Sequence, residues 1–356
     1  MKAAVFHNIG DLRVEEVPTP VPGPDQLLIK IGAAGICGTD LRILSNGHHR
    51  IPSGTPRVLG HEFSGEVVEV GRNVAGIKVG TRVAIAPNIG CGTCDECVAG
   101  WTNLCENYQA FGITLDGAFA EYMLVTSPAI EQGNIIPIPS TLPYEVAALA
   151  EPLSCCINGQ EAVGTRPGDF VLIIGSGPIG IMHLLLSKLY GASYVVVSEI
   201  NPLRAEQALR FGADVWVNPQ REDLKEVIWS LSGGRGADVV IVAASSAALQ
   251  AQAIEVTARR GRVNFFGGLP KNNPTATLNT NLIHYRQITV TGSTGANVRQ
   301  FRTAVKLLVH SRLSLEGLVG ACLPLDQVLE GFERTKQAQE MRILVTPNTR
   351  SEDRQK

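Results

Sequence analysis

Four cysteines fall within fifteen residues, in the pattern Cys91-x2-Cys94-x2-Cys97-x7-Cys105. Thiolates at this spacing can enclose a zinc ion in a tetrahedron of sulfur, and four protein ligands leave no position for a substrate. The loop therefore reads as a structural zinc site. Pro87, Gly90, Gly92 and Gly100 shape a backbone that can wrap an ion. An iron–sulfur cluster is the lesser alternative. The chain holds eight cysteines, and Met1 to His7 is too short an apolar run for a secretory signal. Metal is therefore expected before disulfides, in a cytoplasmic protein.

A second pattern is Gly175-Ser176-Gly177-Pro178-Ile179-Gly180, a G-x-G-x-x-G run placed between an apolar stretch and a helical one. Such glycines permit a tight turn, close approach of the backbone to a pyrophosphate, and close contact between helix and sheet. The helix start supplies free N–H groups for the phosphates. Glu199 follows at the end of the next apolar run, nineteen residues past Gly180. A carboxylate there accepts hydrogen bonds from ribose hydroxyls and repels a 2′-phosphate, so NAD is expected over NADP. Arg204, five residues on, is the residue that would receive such a phosphate. Gly267, just past a later strand, is grouped with these cofactor-binding positions.

Cys37, His61, Glu62 and Glu151 are separately weak signals, since a lone cysteine or histidine is more often core or surface than ligand. Their meaning depends on the elements that would bring them together. The first part of the chain reads as β-rich, with strand-like runs at 3–6, 27–31, 66–71 and 81–86. Pro18, Pro20, Pro22 and Pro24 forbid a helix between the first two. From Tyr144 the pattern changes to helix, then alternating strand and helix. Strands are expected at 170–174, 194–198, 213–217, 239–242, 262–266 and 287–291, and helices at 179–190, 203–211 and 247–257. That alternation predicts a parallel sheet covered on both faces. Helices at 298–310 and 325–337 and a closing strand at 341–345 follow, and the polar tail 350–356 is expected to fray.

Six segments in this order carry a wider likeness. They are Cys37-Gly-Thr-Asp40, Gly60-His-Glu62, the four-cysteine loop, Gly117-Ala-Phe-Ala-Glu121-Tyr122, Glu151-Pro-Leu153 and the glycine run at 175–180. Over nearly its full length the chain resembles the zinc-dependent medium-chain dehydrogenases, and within them the sorbitol and threonine dehydrogenase branch. The resemblance implies an α/β architecture: a doubly wound parallel Rossmann domain at 153–293, and a β-rich GroES-like catalytic domain from 1–152 and 294–356. It implies that Cys37 and His61 bind a catalytic zinc, that Glu62 is a third ligand or sits behind the metal, and that Glu151 reaches the metal directly or through water. Thr39 would pass the alcohol proton toward the cofactor ribose. Phe111 and Thr114 align with the branch's substrate-pocket wall. Two zinc ions per subunit, NAD, and a dimer or tetramer are implied as well.

Two positions depart from the branch. Arg42 stands where relatives often end the proton relay with histidine, and arginine stays protonated, so His48, His49 or water would take that part. Ser293-Thr294-Gly295-Ala296 stands where mammalian-type sorbitol dehydrogenases carry an arginine and an aromatic residue. The function expected is oxidation of a secondary alcohol, of polyol or polyol-phosphate type. L-threonine 3-dehydrogenase is the alternative, and a non-catalytic zinc-stabilised NAD-binding protein is the alternative of another class. A net charge of −2 gives no basic excess for nucleic acid, and the most apolar stretch is interrupted by Gly175, Gly177, Pro178, Gly180, His183 and Lys188, so no membrane partner is expected. Cys155, Cys156, Cys322, His183, His284 and His310 read as core or packing residues, with Cys155 and Cys156 at a helix start.

Overall fold

A computed structural model describes residues 1–338 and 340–347, so the expectation for the tail at 350–356 lies outside the described residues. The chain divides into two compact units, Met1–Ser154 with Ala296–Lys356, and Cys155–Gly295.

The second unit is a six-stranded parallel sheet in the order Val215–Val217, Tyr194–Ser198, Phe170–Ile174, Ala237–Val242, Thr257–Phe265, Thr289–Gly292. In order of sequence this is 3-2-1-4-5-6, the doubly wound arrangement whose ligand crevice opens where the strand order reverses. Phe170–Ile174 is buried along its whole length, as a strand covered on both faces must be. Strand boundaries differ from the sequence reading where local chemistry intervenes. Gln287, expected in the last strand, takes a left-handed conformation (φ 54°) that closes helix Thr280–Arg286, so the strand starts at Thr289. The fifth strand starts at Thr257, where the helix was expected to continue. Thr257 is extended (φ −76°, ψ 136°), in keeping with its β-branched side chain. Cys155 and Cys156 lie inside helix Ala150–Val163 and not at its start. Glu151 and Pro152 occupy its first turn, where proline's missing N–H costs nothing.

His183 is fully buried in this unit, edge-on to Phe266 with ring centroids 4.6 Å apart. Burial pushes its pKa from 6.5 down to about 3. The imidazole is therefore neutral in the folded protein and takes a proton on unfolding at acid pH. Its contribution is intact above the unfolded pKa of 6.5 and is lost as pH falls toward about 3. The loss runs at about 1.4 kcal/mol per pH unit. Melting His183→Met beside the parent at pH 7 and pH 5 should show the parent losing the more stability on acidification; equal losses would refute this.

The first unit carries a seven-stranded mixed sheet in which Ile135–Pro137, Arg82–Ile85, Glu62–Val70, Leu27–Gly35, Arg342–Val345 and Val319–Leu323 are consecutive, and Tyr122–Val125 also pairs with Leu27–Gly35. A three-stranded sheet of Asp11–Glu16, Lys2–Asn8 and Arg57–Val58 lies beside it in this unit, and Asn88–Ile89 pairs with Gln109–Ala110 at the base of the four-cysteine loop. Core side chains from Phe6, Ile29, Phe63, Phe111, Phe119 and Phe332 belong to one cluster. Among the described residues no helix is long and apolar enough to cross a membrane.

Candidate active site

The central strand Leu27–Gly35 ends where two neighbours meet it. Gly35 pairs with Glu62 on one side and with Leu344 on the other, both antiparallel. This register fixes the site. Two residues beyond Gly35 comes Cys37, one before Glu62 comes His61, and two before Leu344 comes Arg342. Three distant segments thus deliver their polar side chains to one end of one sheet. The ligand atoms of Cys37, His61 and Glu62 all lie within 4.8 Å of one another.

Cys37 caps helix Gly38–Asn46, and its backbone N–H donates to Asp40 Oδ2 at 2.8 Å. The other oxygen of Asp40 lies 3.4 Å from His61 Nδ1, and Asp40 is fully buried. A carboxylate behind an imidazole orients the ring and strengthens it as a donor to a metal. Burial alone would lower the pKa of His61, but the charges of Asp40 and Cys37 outweigh it and hold the pKa well above its usual value. A pocket whose field favours a proton on imidazole also favours a metal cation. Glu62 pairs through Oε1 with the buried Arg342, while its Oε2 is buried with no hydrogen-bond partner. A Cβ on Gly35 would stand 2.5 Å from that oxygen, so the glycine makes room for the carboxylate. A cysteine, a histidine and a carboxylate with an orphaned acceptor fit a zinc ion with one open position.

Glu151 is buried in the first turn of its helix, and its charge acts on Arg342, raising the arginine's pKa together with Glu62 and Cys37 against the opposing effect of burial. It is not among the three residues whose ligand atoms cluster. Thr39 lies in the first turn of helix Gly38–Asn46, where Arg42 Nη2 donates to its Oγ1 at 2.9 Å. Phe111 is fully buried, edge-on to Phe63, and the Thr114 hydroxyl accepts from Ala110 N at 2.7 Å.

The four-cysteine loop also gathers as its spacing suggests. Cys91, Cys94, Cys97 and Cys105 form a second cluster with ligand atoms within 4.8 Å. Cys91 N donates to Cys105 Sγ, and Cys94 N to Cys91 Sγ, both at 3.4 Å. The Thr93 hydroxyl and neighbouring amides lower the Cys91 thiol to about 6. The Cys97 amide acts to lower Cys94, but burial and the surrounding sulfurs outweigh it and push that thiol up to about 12. Four thiols this close cannot all ionise without a cation among them, which is the chemistry of a closed zinc site.

In the second unit, the glycine run sits at the carboxyl ends of the strands. Gly175 has φ 97° and follows strand Phe170–Ile174, and Gly177 caps helix Pro178–Leu189, with Pro178 at its first position and Ile179 next. A Cβ on Gly180 would collide with the Gly175 carbonyl, so only glycine lets the helix approach the turn this closely. Glu199 Oε2 accepts from Ser176 N (2.8 Å) and Oγ (3.2 Å), and Oε1 from Ile200 N and Asn201 N, both at 2.9 Å. Arg204 reaches over the turn, its Nη1 3.7 Å from where a Gly177 Cβ would be. Gly267 N donates to Val242 O at 2.9 Å, which places it at the end of the neighbouring strand. Such a turn can take a pyrophosphate on its N–H groups.

Known proteins are similar to this chain in sequence and fold. The alcohol dehydrogenase GroES-like domain matches residues 23–140, and the zinc-binding dehydrogenase domain matches residues 178–310. Sorbitol dehydrogenase of Bacillus subtilis (strain 168) is 35% identical, over 98% of this chain and 98% of that protein. The chain belongs to the zinc-dependent medium-chain dehydrogenase family. L-threonine 3-dehydrogenase of Pyrococcus horikoshii is also 35% identical, over 92% of this chain and 90% of that one. A zinc-binding dehydrogenase from Sinorhizobium meliloti 1021, solved bound to NADP, has a TM-score of 0.88 and 36% identity, covering 97% of this chain and 99% of that one. The chain is thus a dehydrogenase with a GroES-like domain and a Rossmann-type domain.

Two residues of this dehydrogenase's site escape a reading of ligand types alone. Asp40 was visible within the motif Cys37-Gly-Thr-Asp40, but nothing in its spacing shows that it backs His61. Arg342 sits in the apolar run Met341-Arg-Ile-Leu-Val345, where a lone charge between buried neighbours is the available signal. Buried arginine needs a carboxylate, and Glu62 supplies it.

Proposed function

We propose that this dehydrogenase oxidises a secondary alcohol of polyol or polyol-phosphate type and passes the hydride to NAD+. The observation that carries the reading is the convergence of Cys37, His61 and Glu62, backed by Asp40 and Arg342. Cys37 and His61 would hold a catalytic zinc ion. Glu62 would be a third ligand or stand behind the metal, and Glu151 would reach it directly or through water. When bound, zinc would supply a Lewis acid that brings the pKa of a hydroxyl down to about 7, which turns a poor hydride donor into a good one. Asp40 keeps the His61 ring in place and Arg342 balances the Glu62 charge. Thr39 accepts from Arg42, which leaves its own hydroxyl proton free to point at the reacting oxygen. Arg42 cannot receive a proton, so the alcohol's proton leaves through His48, His49 or water. Cys91, Cys94, Cys97 and Cys105 would hold the structural zinc. Phe111 and Thr114 remain the proposed wall of the substrate pocket.

Residues 153–293 would be the dinucleotide-binding domain and 1–152 with 294–356 the catalytic one. Gly175, Gly177, Pro178, Ile179, Gly180 and Gly267 would cradle the pyrophosphate side of the cofactor, with Glu199 and Arg204 at the adenosine ribose. A carboxylate held at Glu199 by four donors supports NAD over NADP. Glu199→Ala should lower kcat/KM with NAD by about tenfold and raise it with NADP. An unchanged ratio would remove Glu199 from the selectivity. A homodimer or homotetramer in the cytoplasm completes the reading.

A panel of polyols, polyol phosphates and amino alcohols, followed by NADH formation, tests the substrate class. Turnover of L-threonine alone would establish the second reading, L-threonine 3-dehydrogenase, which the 35% identity to the Pyrococcus enzyme favours. Two zinc ions per chain are expected; one, confined to the four-cysteine loop, would contradict a zinc-catalysed reaction.

A further inference from the structure

Helix Gly38–Asn46, which Cys37 caps at its start, is closed by Gly47 with φ 67°. The chain then makes a turn in which Ile51 N donates to His48 O at 2.9 Å and Arg50 N donates to His48 Nδ1 at 3.2 Å. Ile51 drops into the core, and the Arg50 side chain leaves the turn for a segment more than fifty residues away. Its Nη2 donates to Glu106 O at 2.7 Å, its Nη1 to Tyr108 O at 3.3 Å, and its guanidinium carbon stands 4.3 Å from the centroid of the Tyr108 ring.

The place of those acceptors is informative. Glu106 and Tyr108 follow Cys105 directly, and Tyr108 N donates back to Cys105 O at 3.1 Å. Cys105 is the buried member of the four-cysteine cluster, and its sulfur accepts from Cys91 N at the other end of the loop. The two carbonyls that Arg50 holds therefore lie on the exit turn of that loop. A planar guanidinium that donates to two carbonyls and stacks on a ring is held in one geometry, which a flexible ammonium group does not reproduce.

We propose that Arg50 is a positioning residue, a clasp through which metal occupancy of the four-cysteine loop orders the turn at 47–51 that ends the Cys37 helix. With the loop closed on an ion, Cys105 fixes the Glu106 and Tyr108 carbonyls, these fix Arg50, and Arg50 fixes the His48-His49 turn. With the loop open, the carbonyls lose their place and the turn is released. Its metal arm rests on the assignment of zinc to Cys91, Cys94, Cys97 and Cys105. The clasp itself rests on the contacts of Arg50.

Hydrogen exchange read by mass spectrometry tests this on the full zinc-loaded chain, with metal content measured on the same samples. In Arg50→Ala, two ions per chain should remain and the segment at 91–104 should keep its protection, while 47–51 and 106–108 exchange about tenfold faster. The kcat should fall more than KM for the alcohol rises, because the released turn carries the proton exit at His48 and His49, and Arg50→Lys should restore only a small part of either change. In Cys97→Ser, 47–51 should also exchange faster, and adding Arg50→Ala should accelerate it no further. Parental exchange at 47–51 in metal-loaded Arg50→Ala overturns the clasp, whether or not Cys97→Ser folds. So does a Cys97→Ser protein in which the loop opens while 47–51 stays protected. Absence of metal from the parent's four-cysteine loop would instead defeat the zinc assignment, and the Arg50→Ala exchange would still decide the clasp.

Discussion

Cys37→Ser is expected to lower kcat/KM by at least about 10⁴-fold while leaving the protein folded. Lowering a hydroxyl's pKa to about 7 on a metal corresponds to about 12 kcal/mol, so losing even half of that field removes about four orders of magnitude. Serine is nearly isosteric with cysteine but offers a neutral, weak donor where a thiolate stood. The Cys37 backbone N–H still donates to Asp40, so the helix start and the carboxylate behind His61 persist. Steady-state rates and metal analysis check both halves of the claim. A loss below about tenfold, with zinc content unchanged, would mean that Cys37 does not hold the reacting metal.

Opening the four-cysteine loop is the second large effect expected. Helix Asp95–Val98 contains no buried residue, and of the four sulfur-bearing residues Cys105 alone is buried. The loop thus has almost no apolar core of its own, and closure must come from the ion. Structural zinc in comparable peptides contributes about 10–16 kcal/mol. Cys97→Ser, or zinc removal, should lower Tm by about 10 °C and make 91–105 the first site of proteolytic cleavage. The charges argue the same way. Cys91 is already disposed to be thiolate near pH 6, whereas Cys94 resists ionisation until about pH 12. Below about pH 6 protons compete with the ion at Cys91 as well, so zinc retention should weaken first on acidification. An unchanged melting curve after loss of the loop's metal would refute this.

The parallel sheet was legible because strands buried on both faces are written as unbroken apolar runs, as in Phe170-Val-Leu-Ile-Ile174 and Tyr194-Val-Val-Val-Ser198. Helix Leu224–Leu231 was not singled out, although Asp223 accepts from Lys225 N and Glu226 N and so carries a recognisable start signal. Strand Val319–Leu323 was missed because Gly320 and Ala321 dilute its pattern. The strand holding the GHE motif was expected to begin at 66 but begins at Glu62. Ser64 and Gly65 interrupt its apolar pattern, and the pairing of Glu62 with Arg342, distant in sequence, does not show in the local run. The four-cysteine loop needed only spacing, because its ligands are local. The Cys37, His61 and Glu62 cluster needed register between strands, and no periodicity within one segment can state which residue of another will lie opposite.

The sheet end that gathers Cys37, His61 and Glu62 is completed by Arg342–Val345, the last strand among the described residues. On the ribosome, the nascent polypeptide displays its cysteine and histidine about three hundred residues before the guanidinium that balances Glu62 has been synthesised. An unfinished or prematurely terminated product would leave that carboxylate uncompensated in an apolar wall. Maturation of the reaction centre therefore waits for a strand made long after its ligands, and a chain interrupted before Arg342 would be born without it.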